Sequence, residues 1–470
     1  MARFLFVNPS TNDVKGATAV ALTMPPLGLA YLAAALQASG HEARIIDAHL
    51  EGFLPQDVVA SVSEAPDVVG ISSNILTIRP ALRYAAALKG AFPAARVILG
   101  GPYASIMGRK LLEDRPFIDA VIVGEGERTI CEIALGLSQP DPFRDVKGVM
   151  FRCAGQVIDN GPRDFVSDID ALPFPAYGLL PDLRRYRSRS RASPVGYIFT
   201  SRGCPAACTF CYRTFGARFR ARSPEKVLEE IAYLREHYGI CQLDILDDNF
   251  TFDAARARRI LEMIRDRHPG LKINLQIGVR VHSLDESLLK VMKEAGVFKF
   301  GFGIESGDQA MLKRIKKGLS LERAVELVRL ARSMGFVTHG YFMIGFPGDT
   351  PETMQRTIDF AVKLDPHYAS FSICTPLPGT EMFDDIVKNG TMLEDVSEGI
   401  DEGIFALKSL FRYGDADPDD VVRYCKKAWK NFYLRPGKIV DVLSTVRSWG
   451  EAGWLWRVVS DIQRSRGSNQ

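Results

Sequence analysis

Short apolar runs alternate with amphipathic stretches over residues 1–136. The apolar runs are rich in Val, Ile, Leu and Phe, as buried parallel strands are, and they occupy residues 2–8, 42–48, 66–72, 95–101 and 118–124. Helical spacing of apolar residues fills the intervals, for example over 27–40 and 79–92. Strands that alternate with helices form a parallel sheet with helices on its faces. The pattern therefore predicts the α/β class, with a doubly wound, Rossmann-like domain over residues 1–140.

A second alternating series begins at Val195, with apolar runs at 196–201, 241–247, 272–278, 299–305, 337–345 and 369–375. Ser223-Pro224 and Thr350-Pro351 precede amphipathic stretches, and Ser or Thr followed by Pro is typical of a helix start. Six βα units predict a partial (β/α)6 barrel over 195–390, whose active site should lie at the carboxyl ends of its strands. We expect a connector over 141–194, with a hairpin around Gly155, and a helical extension over 391–470.

Composition narrows the class of protein. Hydrophobic residues make up 46% and charged residues 24% of the 470 residues, which is a globular composition and excludes a fibrous or disordered chain. The net charge of +3 gives no support to a nucleic-acid partner. No run approaches the roughly 18 apolar residues that a membrane span requires. The eight cysteines are too few for a disulfide framework, so we expect a reducing, cytoplasmic setting.

The end of the chain has a different composition. Residues 421–470 contain ten Lys and Arg but three Asp and Glu, and they include all four tryptophans: Trp429, Trp449, Trp454 and Trp456. Apolar residues at helical spacing over 423–446 favour packing against the barrel, and we expect the extension to form a lid over the substrate. A peripheral membrane contact, which tryptophan beside basic residues would suit, and a contact with a partner protein are the alternatives.

Three cysteines with the spacing C-x3-C-x2-C follow the first barrel strand, at Cys204, Cys208 and Cys211. Soft sulfur ligands select zinc, copper(I) or an iron–sulfur cluster. Structural zinc requires four protein ligands, and no His or Cys follows closely. Three cysteines can instead hold three irons of a [4Fe–4S] cluster and leave the fourth iron open. Buried structural cysteines, or a zinc site completed by a distant residue, are the alternatives.

The run CPAACTFC after Arg202-Gly203 resembles the signature of the radical S-adenosylmethionine (SAM) enzymes. The resemblance implies that the open iron chelates SAM, and that a 5′-deoxyadenosyl radical then abstracts a substrate hydrogen. Motifs in family order lie at the ends of the second to fifth barrel strands, where the family contacts the methionine amino and carboxylate groups, the ribose and the adenine. The expected SAM contacts are Phe210, Asp247, Asp248, Arg280, Glu305, Ser306 and Gly345.

The first domain could bind a flavin, a nucleotide or cobalamin. Residues 25–48 and the loops GISSN (70–74), GGPYAS (100–105) and VGEGERT (123–129) resemble the cobalamin-binding domain of the large cobalamin-dependent subclass of these enzymes. Tyr103 stands where many relatives have a histidine. The resemblance implies cobalamin contacts at Asn8, Pro26, Leu27, Gly28, Ser72, Ser73, Gly100, Gly101, Pro102, Tyr103, Gly124, Glu125 and Gly126.

A second motif, Asp47 to Gly52, fits D-x-H-x-x-G, whose histidine ligates cobalt in other cobalamin proteins. In those proteins the motif follows the first strand, whereas here it follows the second. Only 19 residues separate Gly52 from Ser72, which is too few for that pattern. We therefore interpret the motif as a chance match and expect cobalamin to bind with no histidine on cobalt.

Three hypotheses for the function remain open. The first is methylation of an unactivated carbon, with methylcobalamin as the methyl donor. The second is cyclisation, oxidation or rearrangement without methyl transfer, as in the similar ester cyclase of anaerobic chlorophyll synthesis, and the third is a non-catalytic sensor or carrier. The enzyme hypotheses imply a small-molecule substrate, lipophilic if the membrane contact exists, and an electron donor such as flavodoxin or ferredoxin. His339 and Cys374 are candidate catalytic residues, although a packing role is favoured for both.

Overall fold

The computed structural model describes residues 1–11, 24–186, 190–396, 408–414 and 416–453. They form two parallel sheets with helices packed on their faces, which confirms the predicted α/β class. The first sheet contains β1 (Arg3–Asn8), β2 (Glu42–Asp47), β3 (Val68–Ser72), β4 (Arg96–Gly100) and β5 (Ala120–Ile122). Its helices are α1 (Leu27–Ala38), α2 (Ala48–Glu51), α3 (Pro55–Ala60), α4 (Ile78–Ala91), α5 (Pro102–Asp114) and α6 (Glu127–Gly136).

The parallel strands of the first sheet follow the order β2-β1-β3-β4-β5. The chain direction across the sheet therefore reverses between β1 and β3. Ligands of doubly wound sheets bind beyond the carboxyl ends of the strands at such a switch point. Alternate residues of β1 pack into apolar layers on opposite faces, with Phe4 and Phe6 on one side and Leu5 and Val7 on the other.

The expected hairpin around Gly155 is present, as β6 (Val149–Cys153) and β7 (Gln156–Asp159). It is not part of a separate connector over 141–194, however, because β6 pairs antiparallel with β5 and extends the first sheet to seven strands. The reason is that β5 has only three residues and would otherwise leave an open sheet edge, which the hairpin covers. Sequence spacing alone shows a hairpin but not the strand on which it docks.

The second sheet is the predicted six-unit open barrel. All its strands are parallel, in the order β15-β14-β13-β12-β11-β8. The strands are β8 (Val195–Ile198), β11 (Gln242–Ile245), β12 (Lys272–Val279), β13 (Val297–Glu305), β14 (Val337–Ile344) and β15 (Tyr368–Ile373). Two short strands after β8, β9 (Ser201–Arg202) and β10 (Arg220–Ala221), form a separate antiparallel pair. The helices are α7 (Pro224–Tyr238), α8 (Ala254–Arg267), α9 (Glu286–Glu294), α10 (Gln309–Arg314), α11 (Leu321–Ser333), α12 (Pro351–Leu364) and α13 (Glu381–Asn389).

The extension covers the open edge of the barrel. It contains the short antiparallel pair β16 (Thr391–Met392) and β17 (Phe411–Arg412), followed by α14 (Pro418–Tyr433) and α15 (Pro436–Ser444), so it is not wholly helical. The Tyr433 hydroxyl accepts from the Ala369 amide at 2.9 Å and donates to the Ala369 carbonyl at 2.7 Å. The Trp429 indole donates to the Phe371 carbonyl at 3.1 Å. These side chains satisfy backbone groups on the free edge of β15.

Helix α15 of the extension lies away from the barrel mouth, which we define as the carboxyl ends of β8 and β11–β15, whereas Val421 near the start of α14 lies close to Gly345 at the mouth. In α15, Val442 packs on Val337 and Tyr368, which are the first residues of β14 and β15. Helix α15 therefore covers the opposite end of the barrel, whereas α14 follows the edge of β15 and begins near the mouth, and the expected lid stays a prediction. Trp454 and Trp456 lie outside the described residues. No helix among the described residues is long and apolar enough to cross a membrane.

Candidate active site between the two sheets

The three cysteines lie on a closed loop after the first barrel strand. The base of this cysteine loop (residues 203–219) is the antiparallel pair β9 and β10. Gly203 adopts a φ of +84°, and a Cβ added there would lie 2.2 Å from the carbonyl oxygen of Arg218. Only glycine allows so close an approach of two backbone segments. The Cys204 amide donates to the Gly216 carbonyl at 3.2 Å, which holds the first cysteine against the far side of the loop.

The cysteine side chains form a set of free thiols that repel one another once ionised. Desolvation raises the pKa of Cys211 to about 11, and the Cys208 and Cys204 thiols beside it contribute to the rise. Desolvation also raises the pKa of Cys208. Such thiols ionise readily only when a cationic group compensates their charge. Among the described residues, no three His, Cys, Asp or Glu side chains are close enough to hold a single metal ion, whereas a [4Fe–4S] cluster offers each thiolate its own iron.

Beside the cysteine loop, four side chains form the barrel wall (Phe210, Arg280, Glu305 and Lys317). The Lys317 ammonium lies 2.7 Å from Glu305 Oε1 and 5.8 Å from the centre of the Phe210 ring. The positive charges of Lys317 and Arg280 both act on the Cys208 thiol. Three residues expected at SAM thus lie together next to the cysteines, and sequence reasoning missed the fourth, Lys317. Its only signal was the basic Lys316-Lys317 pair after a short helix.

Glu305 is held in a strained conformation at the end of β13. Its φ is +70°, which is costly for a residue with a side chain, and its carboxylate is largely buried. Burial alone would lower the pKa of Lys317, but the Glu305 carboxylate raises it above its usual value. Lys317 therefore keeps its positive charge, and the strain places the Glu305 carboxyl group at the barrel mouth.

The edge of the first sheet that faces the barrel mouth is formed by backbone groups rather than by charged side chains. Gly101 adopts a φ of +93°, and a Cβ added there would lie 2.5 Å from the carbonyl oxygen of Ser73. The Ser73 amide and hydroxyl both donate to the Gly100 carbonyl, at 2.8 and 2.9 Å. These contacts join the ends of β3 and β4 and require glycine at position 101.

Open space lies next to this backbone. A Cβ added at Gly28 or at Gly100 would meet no other atom within 4 Å. Two helices begin at the same edge: α1 at Leu27, after Pro26, and α5 at Pro102. Bare glycine backbone and the positive end of helix dipoles suit a large ligand that carries a phosphate. We call this region, with Gly28, Gly100 and Gly101, the first-sheet edge.

The first-sheet edge and the barrel mouth face each other. The Tyr212 hydroxyl, next to the last cysteine, lies close to the Ser105 side chain in α5. On the other side, Gly379 follows the last barrel strand, and a Cβ added there would lie 3.3 Å from the Ile106 side chain in α5. A ligand at the first-sheet edge would therefore face the cysteine loop and the barrel wall.

Comparisons with known proteins agree with this arrangement. Residues 15–134 match the B12 binding domain family, and residues 198–361 match the Radical SAM superfamily. An uncharacterized methyltransferase of Pyrococcus horikoshii is 33% identical over 452 residues, which is 94% of each chain. The chain belongs to the cobalamin-dependent radical SAM enzymes. Its cofactors are a [4Fe–4S] cluster, SAM and cobalamin.

Other similar proteins carry out different reactions. The cytidylyl-2-hydroxyethylphosphonate methyltransferase of Streptomyces wedmorensis is 32% identical over 420 residues, or 78% of each chain. The anaerobic magnesium-protoporphyrin IX monomethyl ester cyclase of Cereibacter sphaeroides is 28% identical over 393 residues, or 82% of this chain and 63% of the cyclase. The solved structure of the radical SAM methyltransferase TsrM from Kitasatospora setae, with cobalamin and a [4Fe–4S] cluster, matches with a TM-score of 0.69 at 20% identity, over 95% of this chain and 89% of that chain. This last match shows the shared fold.

Adjacent polar residues at the end of β11 have separate roles in this radical SAM enzyme. Asp247 was expected at SAM, but it is fully buried and accepts from the Thr200 amide at 2.6 Å, the Thr200 hydroxyl at 2.5 Å and the Ser201 hydroxyl at 2.5 Å. It therefore ties two strand ends together. Asp248 is exposed and accepts from the Gly203 amide of the cysteine loop at 3.2 Å. Asn249 is 1% exposed, and its amide has no hydrogen-bond partner among the described residues, as expected where a bound cofactor supplies the missing bonds.

Two further residues expected at SAM also make contacts within the fold. The Ser306 hydroxyl lies 3.2 Å from the Thr357 hydroxyl of α12 and accepts from the Asp308 amide at 3.1 Å. Gly345 has a φ of +85°, and a Cβ added there would lie 2.5 Å from the Val421 side chain of α14. Gly345 thus makes room for the extension, which sequence patterns could not show because the two residues are far apart in the chain.

Glu125 was expected at cobalamin, but its carboxylate faces the barrel. It is 8% exposed and forms ion pairs with Arg202 and Arg220, at 2.9 Å each. Both arginines lie at the base of the cysteine loop. The loop of Gly124 to Glu127 therefore contacts the radical SAM barrel through its acidic side chains.

The remaining expected cobalamin residues lie at or beside the first-sheet edge. The Asn8 amide donates to Asp47 at 2.8 Å, and the Gly124 amide donates to Ser105 at 3.0 Å. Gly126 packs on α1, and Tyr103 is buried with its hydroxyl 3.3 Å from the Val396 carbonyl. Ser72 is half-buried at the end of β3.

Both candidate catalytic residues are buried, and of the two only Cys374 lies at the barrel mouth. His339 is the third residue of β14, near the amino end of that strand rather than at the mouth. It is buried, stacks on Tyr341 with ring centres 4.4 Å apart, and its Nε2 lies 2.8 Å from the Ser370 hydroxyl. Cys374 is buried with its Sγ 3.4 Å from the Met382 sulfur, and burial raises its pKa well above the usual value.

Proposed function

We propose that this enzyme transfers a methyl group from SAM to an unactivated carbon of a small-molecule substrate, with cobalamin as the methyl carrier. The observation that carries the proposal is that α5, at the first-sheet edge, lies close to both the cysteine loop and the loop after the last barrel strand. This arrangement suits a methyl carrier and a radical generator that act on one substrate between them. Two of the similar proteins described above are methyltransferases with at least 32% identity.

In this proposal the chain mainly positions its cofactors. Cys204, Cys208 and Cys211 hold the iron–sulfur cluster, and the barrel wall presents its ionised groups and the Phe210 ring to SAM. When bound, the cofactors supply a 5′-deoxyadenosyl radical and a transferable methyl group. The first-sheet edge offers backbone to the cobalamin, and the two facing edges limit the access of water to the radical.

Product analysis of the holoenzyme tests the proposal. The protein is reconstituted anaerobically with iron, sulfide and cobalamin, and is supplied with SAM and reduced flavodoxin or ferredoxin, which we propose as the class of electron donor. We expect both S-adenosylhomocysteine, from methyl transfer to cobalamin, and 5′-deoxyadenosine, from radical formation. If only 5′-deoxyadenosine forms while the true substrate is consumed, the methyltransferase proposal is wrong and a cyclisation or rearrangement replaces it.

A further inference from the structure

Four charged side chains join the two domains beneath the cysteine loop. Arg202 lies 2.9 Å from Glu125 and 2.7 Å from Glu127, and Arg220 lies 2.9 Å from Glu125. Their side chains are 4–7% exposed. We call this group the arginine–glutamate bridge (Glu125, Glu127, Arg202 and Arg220). Two positive and two negative charges balance one another, which such burial requires.

The arginine–glutamate bridge is attached to both ends of the cysteine loop. Arg202 and Arg220 are paired opposite each other on β9 and β10, so one arginine enters the loop and the other leaves it. Arg220 also donates to the Phe215 carbonyl inside the loop at 2.9 Å. The base of the loop that carries the three cysteines is therefore held from both strands against the two glutamates.

The glutamates belong to the cobalamin-binding domain. Glu125 lies in the loop after β5, and Glu127 is the first residue of α6. Gly124, next to Glu125, is joined through Ser105 to the start of α5 at the first-sheet edge. A short path of bonded groups therefore leads from that edge to the cysteines.

We propose that Glu125, Glu127, Arg202 and Arg220 are positioning residues that set the distance between the iron–sulfur cluster and cobalamin. This inference rests on the proposed methyl transfer for its catalytic consequence, because SAM bound at the cluster must then be within reach of cobalamin as well as of the substrate. The geometric part does not depend on the reaction. A misplacement of about 1 Å can cost about 100-fold in a step that requires close approach.

The test compares Glu127→Gln with a matched control, Glu230→Gln. Glu230 is fully buried and pairs with Arg222 within the barrel, and its other hydrogen bond comes from the Tyr177 hydroxyl, which belongs to neither the cysteine loop nor the first sheet. The holoproteins are reduced, and pulsed electron paramagnetic resonance measures the distance between the cluster and cob(II)alamin. We expect a shifted or broadened distance distribution for Glu127→Gln and the wild-type distribution for Glu230→Gln. This measurement needs no turnover, so it stands even if the proposed reaction is wrong.

The second readout is the ratio of S-adenosylhomocysteine to 5′-deoxyadenosine. We expect Glu127→Gln to lower this ratio about 10-fold or more, with iron and cobalamin contents unchanged. If Glu127→Gln does not fold, Glu127→Asp keeps the charge and shortens the side chain by one methylene, and the same shift in distance is expected. A wild-type distance in the folded Glu127 variant, or an equal shift in Glu230→Gln, overturns the proposal.

Discussion

The barrel wall and the first-sheet edge prepare binding sites by opposite means. The barrel wall uses buried charges, with Glu305 paired to Lys317 at 2.7 Å and Arg280 nearby. The first-sheet edge uses the absence of side chains at Gly28 and Gly100. A charged site loses affinity when one partner is removed, because the other charge is left buried. A backbone site loses affinity when an atom is added, so the two regions predict opposite kinds of sensitive substitution.

The largest effect is expected for the three cysteines, because they lie next to the barrel wall and face the first-sheet edge. Cys208→Ala removes one thiolate of the cluster, and we expect loss of the cluster and of 5′-deoxyadenosine formation, measured by iron content and product analysis. Cobalamin binding should persist, because the first-sheet edge is a separate structure. The control is Cys241→Ala, since Cys241 is exposed and lies before β11, outside the loop. Full 5′-deoxyadenosine formation in Cys208→Ala would contradict the assignment.

Lys317→Met tests the barrel wall alone. The substitution leaves the Glu305 carboxylate buried without its partner, and loss of one partner of a buried pair costs about 2–5 kcal/mol in binding. We therefore expect the KM for SAM to rise by about 10-fold or more, while cobalamin absorbance stays unchanged. Lys316→Met is the matched control, because Lys316 forms an exposed pair with Glu381. If the KM for SAM is equal in both variants, Lys317 does not belong to the SAM site.

Local motifs explain why some of the site could be predicted from sequence. The cysteine spacing places three thiols on one loop, and Phe210 and Glu305 are fixed by short motifs beside a strand end. Asp247 and Asp248 show the limit of such motifs, because adjacent residues at a strand end point in different directions. Only the structure shows which carboxylate faces inward, toward Thr200 and Ser201.

Contacts between distant parts of the chain explain most of the failures. Glu125 meets its arginines 77 and 95 residues later in the chain, and no pattern within its own loop indicates them. The docking of the hairpin on β5 and the approach of Val421 to Gly345 are of the same kind. The two parallel βα series, by contrast, could be predicted from the alternation of strands and helices together with general rules of connection.

Gly101→Ala tests the first-sheet edge alone. The new methyl group would lie 2.5 Å from the Ser73 carbonyl in a left-handed conformation, so we expect a loss of about 1–3 kcal/mol in unfolding free energy and weaker cobalamin binding. Denaturant unfolding and cobalamin absorbance measure the two effects. Gly90→Ala in helix α4 of the same domain meets open space, and it should instead stabilise the protein by about 0.5–1 kcal/mol. Equal stabilities for the two variants would contradict this account of the edge.

The smallest effect is expected for His49→Ala. This substitution tests whether any side chain binds cobalamin at the first-sheet edge in addition to the backbone. His49 follows β2, the outer strand of the sheet, whereas the switch point lies between β1 and β3. Its Nδ1 lies 3.3 Å from the Thr11 hydroxyl. We therefore expect the electron paramagnetic resonance spectrum of bound cob(II)alamin to show no axial nitrogen splitting, and to be the same in the wild type and in His49→Ala. Splitting that disappears in His49→Ala would place this histidine on cobalt, and the first-sheet edge would then hold its cofactor by a side-chain ligand as well as by bare backbone.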